Sequence, residues 1–516
     1  MKRRQFIQSG SLMTLPIFLG GLEVNAIAKS SLFNLVNNTD DRILVIIQLN
    51  GGNDGLNMVI PMDQYQGLTS VRPDLLIPET KVLKLTDLTG VNPNMTGIQR
   101  LYNEGKIGVV QSVGYPNQNR SHFRSTDIWT SASAADEYLS TGWLGRYLDL
   151  KYPGYPTDYP NEEYPDPFAI TLGAVVSETC QGSISNFSFT LTGQDSILTV
   201  EETEAPQATE TCYYKNIDFV KTTISQSNAY AARVLEAFDK GNNISSYGAD
   251  NRLAQQLKIV ANLISGGLQT KIYVTSLGGF DTHANQVQIG DSTLGNHANL
   301  LKTVSDAIAS FMDDCQALGI NERVVGMTFS EFGRQIAANN SFGTDHGTAA
   351  PLFVFGTCIN PQVLGNNPSI PQQVTPQEGV AMQYDFRSVY ATLLVDWLGA
   401  KDTDIKTVLF DDFAKLPLIQ GCIPDDVKEV DKSSEIQVFP NPCTSETTLR
   451  FTLDAKAHIH IAVYDALGSM IRLITDKSLD GGDHSIKIDT TSLVSGAYHI
   501  RMQQNHMVQT LRFIKV

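Results

Sequence analysis

Residues 271–283 read KIYVTSLGGFDTH, and the fold turns on how that stretch divides. Residues 271–276 form a short, nearly continuous apolar run, as in a strand covered on both faces. Gly278-Gly279 breaks the run, and glycine lets backbone turn tightly at a strand end. Asp281 and His283 then share the next loop. A carboxylate and an imidazole delivered just past a strand fit an α/β sheet, where ligands bind beyond the carboxyl ends of the strands.

The same plan recurs outward from this stretch. Residues 43–49 (ILVIIQL), 107–113 (IGVVQSV), 323–329 (RVVGMTF) and 352–355 (LFVF) are apolar strand candidates. Helical patterns at 253–264, 297–318 and 386–398 alternate with them. Within 297–318, Leu300, Leu301, Val304, Ile308, Phe311, Met312 and Cys315 recur at helical spacing, which marks a core face. The alternation predicts an α/β sandwich with a mostly parallel central sheet over residues 40–423. Residues 152–167 (YPGYPTDYPNEEYPDP), with the chain up to about residue 215, read as an insertion that is partly loop and caps the sheet.

The residues just past each strand are therefore informative. Asn50-Gly51-Gly52-Asn53-Asp54-Gly55 comes after the first, with Asp54 a hard oxygen donor, although Asn-Asp-Gly is also turn chemistry. After the second, Ser121 stands before an expected helix among Arg120, His122 and Arg124. It suits either a nucleophile, with an arginine holding an anion, or a helix N-cap with surface arginines. Glu331 comes after the fourth strand, and Asp345-His346 precedes the fifth. His297, at the start of its helix, reads either as facing the Asp281 loop or as a polar helix-start residue. Carboxylates and histidines after several strands converge on one sheet edge, which predicts a metal site.

The two ends differ from the middle. The start, MKRRQFIQSGSLMTLPIFLGGLEVNAIAKS, has a basic opening, a short apolar stretch and small residues at Ala26 and Ala28. Residues 1–28 read as a removable signal peptide. Arg3-Arg4 resembles the twin-arginine export signal, with an ordinary secretory signal as the alternative. Residues 424–435 (PDDVKEVDKSSE) read as a linker. Seven short alternating segments come next, at 436–439, 448–453, 458–464, 470–474, 485–488, 497–502 and 510–514. They predict a small all-β sandwich over 436–516. His458, His460, His484, His499 and His506 within it read as solvent-facing.

Composition sets bounds. A chain of 516 residues with 42% hydrophobic and 18% charged residues suits two or three globular domains. A formal charge of −16 argues against nucleic acid as the main partner. No apolar run has the length of a transmembrane helix. Of six cysteines, none forms a CxxC pair. Cys315 and Cys358 lie in apolar runs and read as buried thiols, while Cys180 and Cys212 bracket the polar insertion and are open to pairing.

Several longer motifs are more specific. NGGNDGLN (50–57), NRSHFRSTDIW (119–129), GGFDTHANQ (278–286), TFSEFGR (328–334), GTDHGTAAPLFVFG (343–356) and DFRSVYATLLVDWLG (385–399) resemble the exported family of domains of unknown function numbered 1501, of the alkaline phosphatase clan. The resemblance implies an alkaline-phosphatase-like sandwich. It places a first-strand metal aspartate at Asp54, a nucleophile at Ser121 and a metal-binding pair at Asp281 and His283. It places Glu331 where the clan has an Asp-His pair, and the later metal histidine at His346. A second register would equate Asp345-His346 with that Asp-His pair. One or two divalent ions are implied, zinc or manganese, calcium or magnesium, with His122 and Arg124 near the leaving group or anion. Asp-x-His is tighter than the clan's spacing and Glu331 brings one ligand where two are usual, so the second ion is open. FPNP (439–442), VYDALG (463–468), GGDH (481–484), LVSGAYHIRM (493–502) and RFIK (512–515) resemble the type IX secretion sorting domain. That resemblance implies passage through the periplasm and a dedicated outer-membrane machine to the medium or the cell surface.

The expected function is a secreted or surface-attached, metal-dependent hydrolase of phosphate or sulfate esters. The alternative is a non-catalytic surface binding or assembly protein that retains the fold. No G-x-S-x-G elbow, G-x-G-x-x-G loop or Walker loop supports a serine hydrolase or a nucleotide binder.

Overall fold

The computed structural model describes residues 18–19, 22–23, 41–193, 197, 212–420, 437–453, 456–465, 470–504 and 507–516. The expected signal peptide lies outside these residues apart from Phe18–Leu19 and Leu22–Glu23, and the expected linker lies wholly outside them. The chain divides into two compact units, residues 1–423 and 424–516.

The larger unit is built on one sheet. Its strands are β1 (Ile43–Asn50), β2 (Ile107–Gly114), β3 (Ala169–Leu172), β4 (Ser188–Leu191), β5 (Ile272–Gly278), β6 (Val324–Phe329), β7 (Ala350–Gly356), β8 (Val363–Leu364) and β9 (Tyr384–Asp385). The order is β8-β2-β7-β6-β1-β5-β3-β4, with β9 also beside β2. β1 is central and pairs in parallel with β5 (Gly278 opposite Asn50) and with β6 (Phe329 opposite Gln48). β7 runs antiparallel to both β6 and β2, whereas the other pairings of this sheet are parallel.

The reversal of β7 has a simple consequence. Parallel strands leave their outgoing loops at the carboxyl edge, and an antiparallel strand begins at that same edge. The loop that joins β6 to β7 therefore stays at this edge throughout, beside the loops after β1, β2 and β5.

Alternation along β1 builds a core on each face. Ile43, Val45, Ile47 and Leu49 pack on one side with helices α3 (Arg252–Ser265) and α4 (Asn296–Leu318). Leu44 and Ile46 pack on the other with α1 (His122–Ser131), α2 (Trp143–Lys151) and α5 (Phe386–Thr392). Period-two alternation with apolar residues on both faces is what a doubly covered strand requires.

The region read as an insertion differs from expectation. β3 and β4 lie within it and extend the sheet beyond β5. Its tyrosines are not loop decoration: Tyr152 stacks on Phe168 at 3.9 Å and Tyr155 on Phe187 at 4.0 Å. These stacks tie the proline-rich segment to the sheet. Cys180 is a buried free thiol, so its possible pairing with Cys212 is not formed. Cys315 is likewise free and buried, but Cys358 is disulfide-bonded, contrary to the thiol reading. An apolar run reports burial and carries no information on a distant partner.

Among its described residues the smaller unit has seven strands in two antiparallel sheets. Gln437–Phe439, Glu446–Leu453 and Gly482–Asp489 (β10, β11, β14) form one, in the order β10-β11-β14. Ala457–Tyr464, Met470–Leu479, Gly496–Gln504 and Met507–Lys515 (β12, β13, β15, β16) form the other, in the order β13-β12-β15-β16. Leu449, Phe451, Ile459, Ile461, Ile500 and Phe513 fill its core. No helix among the described residues is long and apolar enough to cross a membrane.

Candidate metal centre

The carboxyl edge of β1 is tight because of its glycines. Gly51 has φ 122°, and a Cβ there would meet the Asp281 nitrogen at 2.3 Å. The loops after β1 and β5 thus lie backbone to backbone, which only glycine permits. Arg334, buried, fastens the same edge. It donates to Gly52 O (2.6 Å), Phe280 O (3.0 Å), Thr344 O (2.9 Å), the Asp281 carboxylate (2.6 Å) and Gly51 O. One side chain ties together the loops after β1 and β5 and the loop that joins β6 to β7.

Within this frame His122, Asp281 and His346 bring one ligand atom each to within 4.8 Å of one another. Asp281 is the hub. Its oxygens lie 3.5 Å from His122 Nε2, 3.1 Å from His283 Nε2 and 3.3 Å from His346 Nε2. His283 Nε2 is also 2.9 Å from His346 Nε2.

The outer nitrogens of the three rings are all engaged. His122 Nδ1 meets Glu331 Oε1 at 2.8 Å, His283 Nδ1 meets Asp345 Oδ1 at 2.7 Å, and His346 Nδ1 meets Arg120 O at 2.8 Å. Each of those partners is an acceptor, so each ring bears a proton on Nδ1 and points Nε2 inward. His122 Nε2 is buried without a hydrogen-bond partner. Imidazoles pinned at the outer nitrogen by carboxylate or carbonyl oxygens are how metal-binding histidines are oriented. The residues present fit a divalent cation.

Electrostatics agree. Burial alone would raise the Asp281 carboxyl, but Arg334 and the histidines hold it below its usual range. Burial lowers His346 below the ordinary histidine value, despite its bond to Arg120 O. Asp281 is thus anionic and His346 neutral near pH 7, as ligands must be.

The remaining expected site residues are placed differently. Glu331 is buried, and its carboxylate accepts from His122, from Gly51 N (2.8 Å) and from Ser330 Oγ (3.2 Å). It orients His122 rather than joining the cluster. Asp54 is also buried and lies outside the cluster. Arg72 Nη1 donates to both its oxygens (3.0 and 2.9 Å) and Gln286 Nε2 to one (2.6 Å). Burial would raise Asp54, but Arg72, His297 and Gln286 hold it below its normal range. Arg124 is turned into structure: it pairs with Asp127, donates to Ala134 O and Ala135 O, and lies 3.8 Å over the Tyr138 ring. Ser121 is exposed at the N-cap of α1 with no side-chain cap bond, between Arg120 and His122. His297 faces the loop after β1, with Nε2 2.8 Å from Asn53 Oδ1, and burial pushes it down to about 4.

Asp345, Arg334, Arg72 and Gln286 carry roles that sequence reasoning did not assign. Arg334 and Asp345 stood inside quoted motifs, but their partners come from other loops and leave no mark on spacing.

The cluster opens into a cleft of about 610 Å³ at the carboxyl ends of β1, β3 and β5. His122, Asp281 and Glu331 line one part of it; Phe123, Val175 and Val176 line another.

Comparison with known proteins adds two family matches. Residues 199–396 match the family described as "Protein of unknown function (DUF1501)". Residues 437–516 match "Secretion system C-terminal sorting domain". No curated protein matches the chain. Among solved structures, it is similar to dimeric latent PorU from Porphyromonas gingivalis at 20% identity and TM-score 0.14, over 16% of this chain and 9% of that one. PorZ, a type-IX secretion component of the same organism, is similar at 17% and 0.12, over 19% and 13%. The chain thus spans only about a tenth of the length of these two relatives. A protein in the alkaline phosphatase superfamily from Vibrio parahaemolyticus is similar at 11% and 0.29, over 90% and 82%. A Bacteroides thetaiotaomicron protein, BT33494S-sulf, from work on glycosaminoglycan metabolism, is similar at 10% and 0.33, over 84% and 89%. The sorting tail marks a secreted or cell-surface protein.

Proposed function

We propose that the larger unit is a metal-dependent hydrolase of phosphate or sulfate esters, exported through the type IX machinery. One observation carries this reading: three histidines pinned at Nδ1 turn their Nε2 atoms toward one carboxylate. Two or three imidazole nitrogens and one carboxylate suit zinc or manganese better than calcium, which prefers six to eight oxygens. When bound, such an ion would lower the pKa of a hydroxyl or water and stabilise charge developing on an ester oxygen.

The chain's own residues supply the rest. Asp281, His122 and His346 hold the cation, with His283 beside them. Glu331, Asp345 and the Arg120 carbonyl fix the rings, and Arg334 fixes the loops. Ser121, exposed and next to His122, is the candidate nucleophile. Arg72 takes both oxygens of Asp54, the aspartate expected to bind metal after the first strand, and Glu331 accepts from His122, so the centre holds one ion.

A non-catalytic surface binding role is the second reading. It draws support from Arg124, whose guanidinium is used within the fold and is not offered to an anion. Chelator-stripped protein, reloaded with zinc or manganese and assayed on aryl phosphates and aryl sulfates, separates the two. Metal-restored turnover that is lost in Ser121→Ala and His346→Ala supports the hydrolase. Tight metal binding with no turnover of either ester class favours the binder.

A further inference from the structure

The cleft beside the cluster has two kinds of wall. Phe123 is 90% exposed on the first turn of α1, next in chain to His122. Val175 and Val176, 76% and 41% exposed, line the same cleft. Large apolar side chains standing in water at a concave site mark where an apolar part of a ligand rests. The charged lining has one sign: Asp127, Glu178, Asp281 and Glu331, with no lysine or arginine among the described lining residues. Arg124, the nearest arginine in sequence, is paired with Asp127. One divalent ion offsets part of this charge. Asp127 and Asp281 are already paired with Arg124 and Arg334, so what opposes a dianion or polyanion is the lack of any lysine or arginine among the described lining residues to take its second charge, whereas a single negative charge is met by the ion itself.

We propose that this cleft takes an ester with one negative charge and an apolar, ring-sized group, the ring resting against Phe123, Val175 and Val176. The inference rests on the metal-centre reading above and narrows its substrate class. Sulfate monoesters and phosphate diesters share this chemistry. Phosphate monoesters, which are dianions near neutral pH, do not.

The test uses the full chain, zinc-loaded, and calorimetric titration with four probes: 2-naphthalenesulfonate, methanesulfonate, 2-naphthyl phosphate and 2-naphthol. Phe123 is exposed, so Phe123→Ala leaves the core intact; Val175→Ser with Val176→Ser is the second variant. The expected result is tightest binding of 2-naphthalenesulfonate, weakened about tenfold in each variant, as loss of one aromatic contact implies. Methanesulfonate and zinc binding stay unchanged in both. Naphthalenesulfonate bound equally by wild type and both variants overturns the proposal, as does tighter binding of the dianionic naphthyl phosphate. If zinc does not bind, the metal centre falls separately, and 2-naphthol still reports on the apolar wall: binding lost in Phe123→Ala supports it, and unchanged binding overturns it. Turnover of 2-naphthyl sulfate against methyl 2-naphthyl phosphate then tells the two ester sources apart.

Discussion

His283 Nε2 and His346 Nε2 stand 2.9 Å apart, while the Nδ1 of each ring is already committed to an acceptor. At that distance the two nitrogens need a proton or a metal cation close to both. The expected outcome is one zinc per chain, measured by elemental analysis and by competition with a chromophoric chelator. His346→Ala and His122→Ala should each lose tight binding. Asp345→Asn, which weakens only the orientation of His283, should cost about 10- to 100-fold in affinity.

Asp54 should behave differently from the cluster residues. Its carboxylate is neutralised by buried Arg72. Asp54→Ala should leave zinc stoichiometry at one and destabilise the fold by about 3–5 kcal/mol, because Arg72 is left buried and unpaired. Urea unfolding with parallel metal analysis checks both halves. A drop from two ions to one would contradict the single-ion centre.

His297 gives a pH signature. Burial lowers it from 6.5 to about 4. The unfolded chain therefore takes up a proton below about pH 6.5 that the folded chain refuses until about pH 4. Stability from this group is whole above pH 6.5 and falls as the pH drops through that window, by about 3 kcal/mol in all. Unfolding free energy measured from pH 4 to 7 should show this slope, and His297→Gln should flatten it.

Arg334→Lys tests the loop fastener. Lysine cannot serve five acceptors spread over three loops. Stranding several buried oxygens should cost about 3 kcal/mol or more. Zinc affinity should fall with it, since Asp281 loses its tether, and activity should track the metal. A lysine variant with unchanged melting temperature and affinity would show that the loops hold without it.

Thiol chemistry gives a direct check on the core. Burial pushes the Cys180 thiol up to about 12, and Cys315 is raised further by burial beside Asp314. Native protein exposed to a thiol reagent should leave Cys180, Cys315 and Cys443 unlabelled until denaturant is added. Peptide mapping by mass spectrometry reads the outcome.

Much of the fold was legible because strand chemistry is local. The runs at 43–49, 107–113, 271–276 and 323–329 each became a strand, and the stripe from Leu301 to Cys315 became a buried helix face. The convergence of Asp281, His283 and His346 came from strand ends alone. The antiparallel sense of β7 was not legible, since sequence does not state direction. Nor was the capture of Asp54 by Arg72, 18 residues away on another loop. The turn chemistry around Asp54 was correct, and the partner changed what its carboxylate does. β3 and β4 were missed because a proline- and tyrosine-rich segment hides short strands whose support is aromatic stacking.

The reversed strand also governs where the molecule can tolerate growth. The 20 residues between β6 and β7 (330–349) fold entirely at the functional rim and include Glu331, Arg334, Asp345 and His346. A length change there shifts several partners of the cluster at once. Just beyond Gly356 the chain turns at the opposite rim, remote from the histidines, before β8 and β9 run parallel to β2. Added sequence in the turn between β7 and β8 therefore leaves the cation's surroundings undisturbed, whereas residues 378–385 come back to that rim, where Glu378 O accepts from Ile336 N and Val380 O from Thr348.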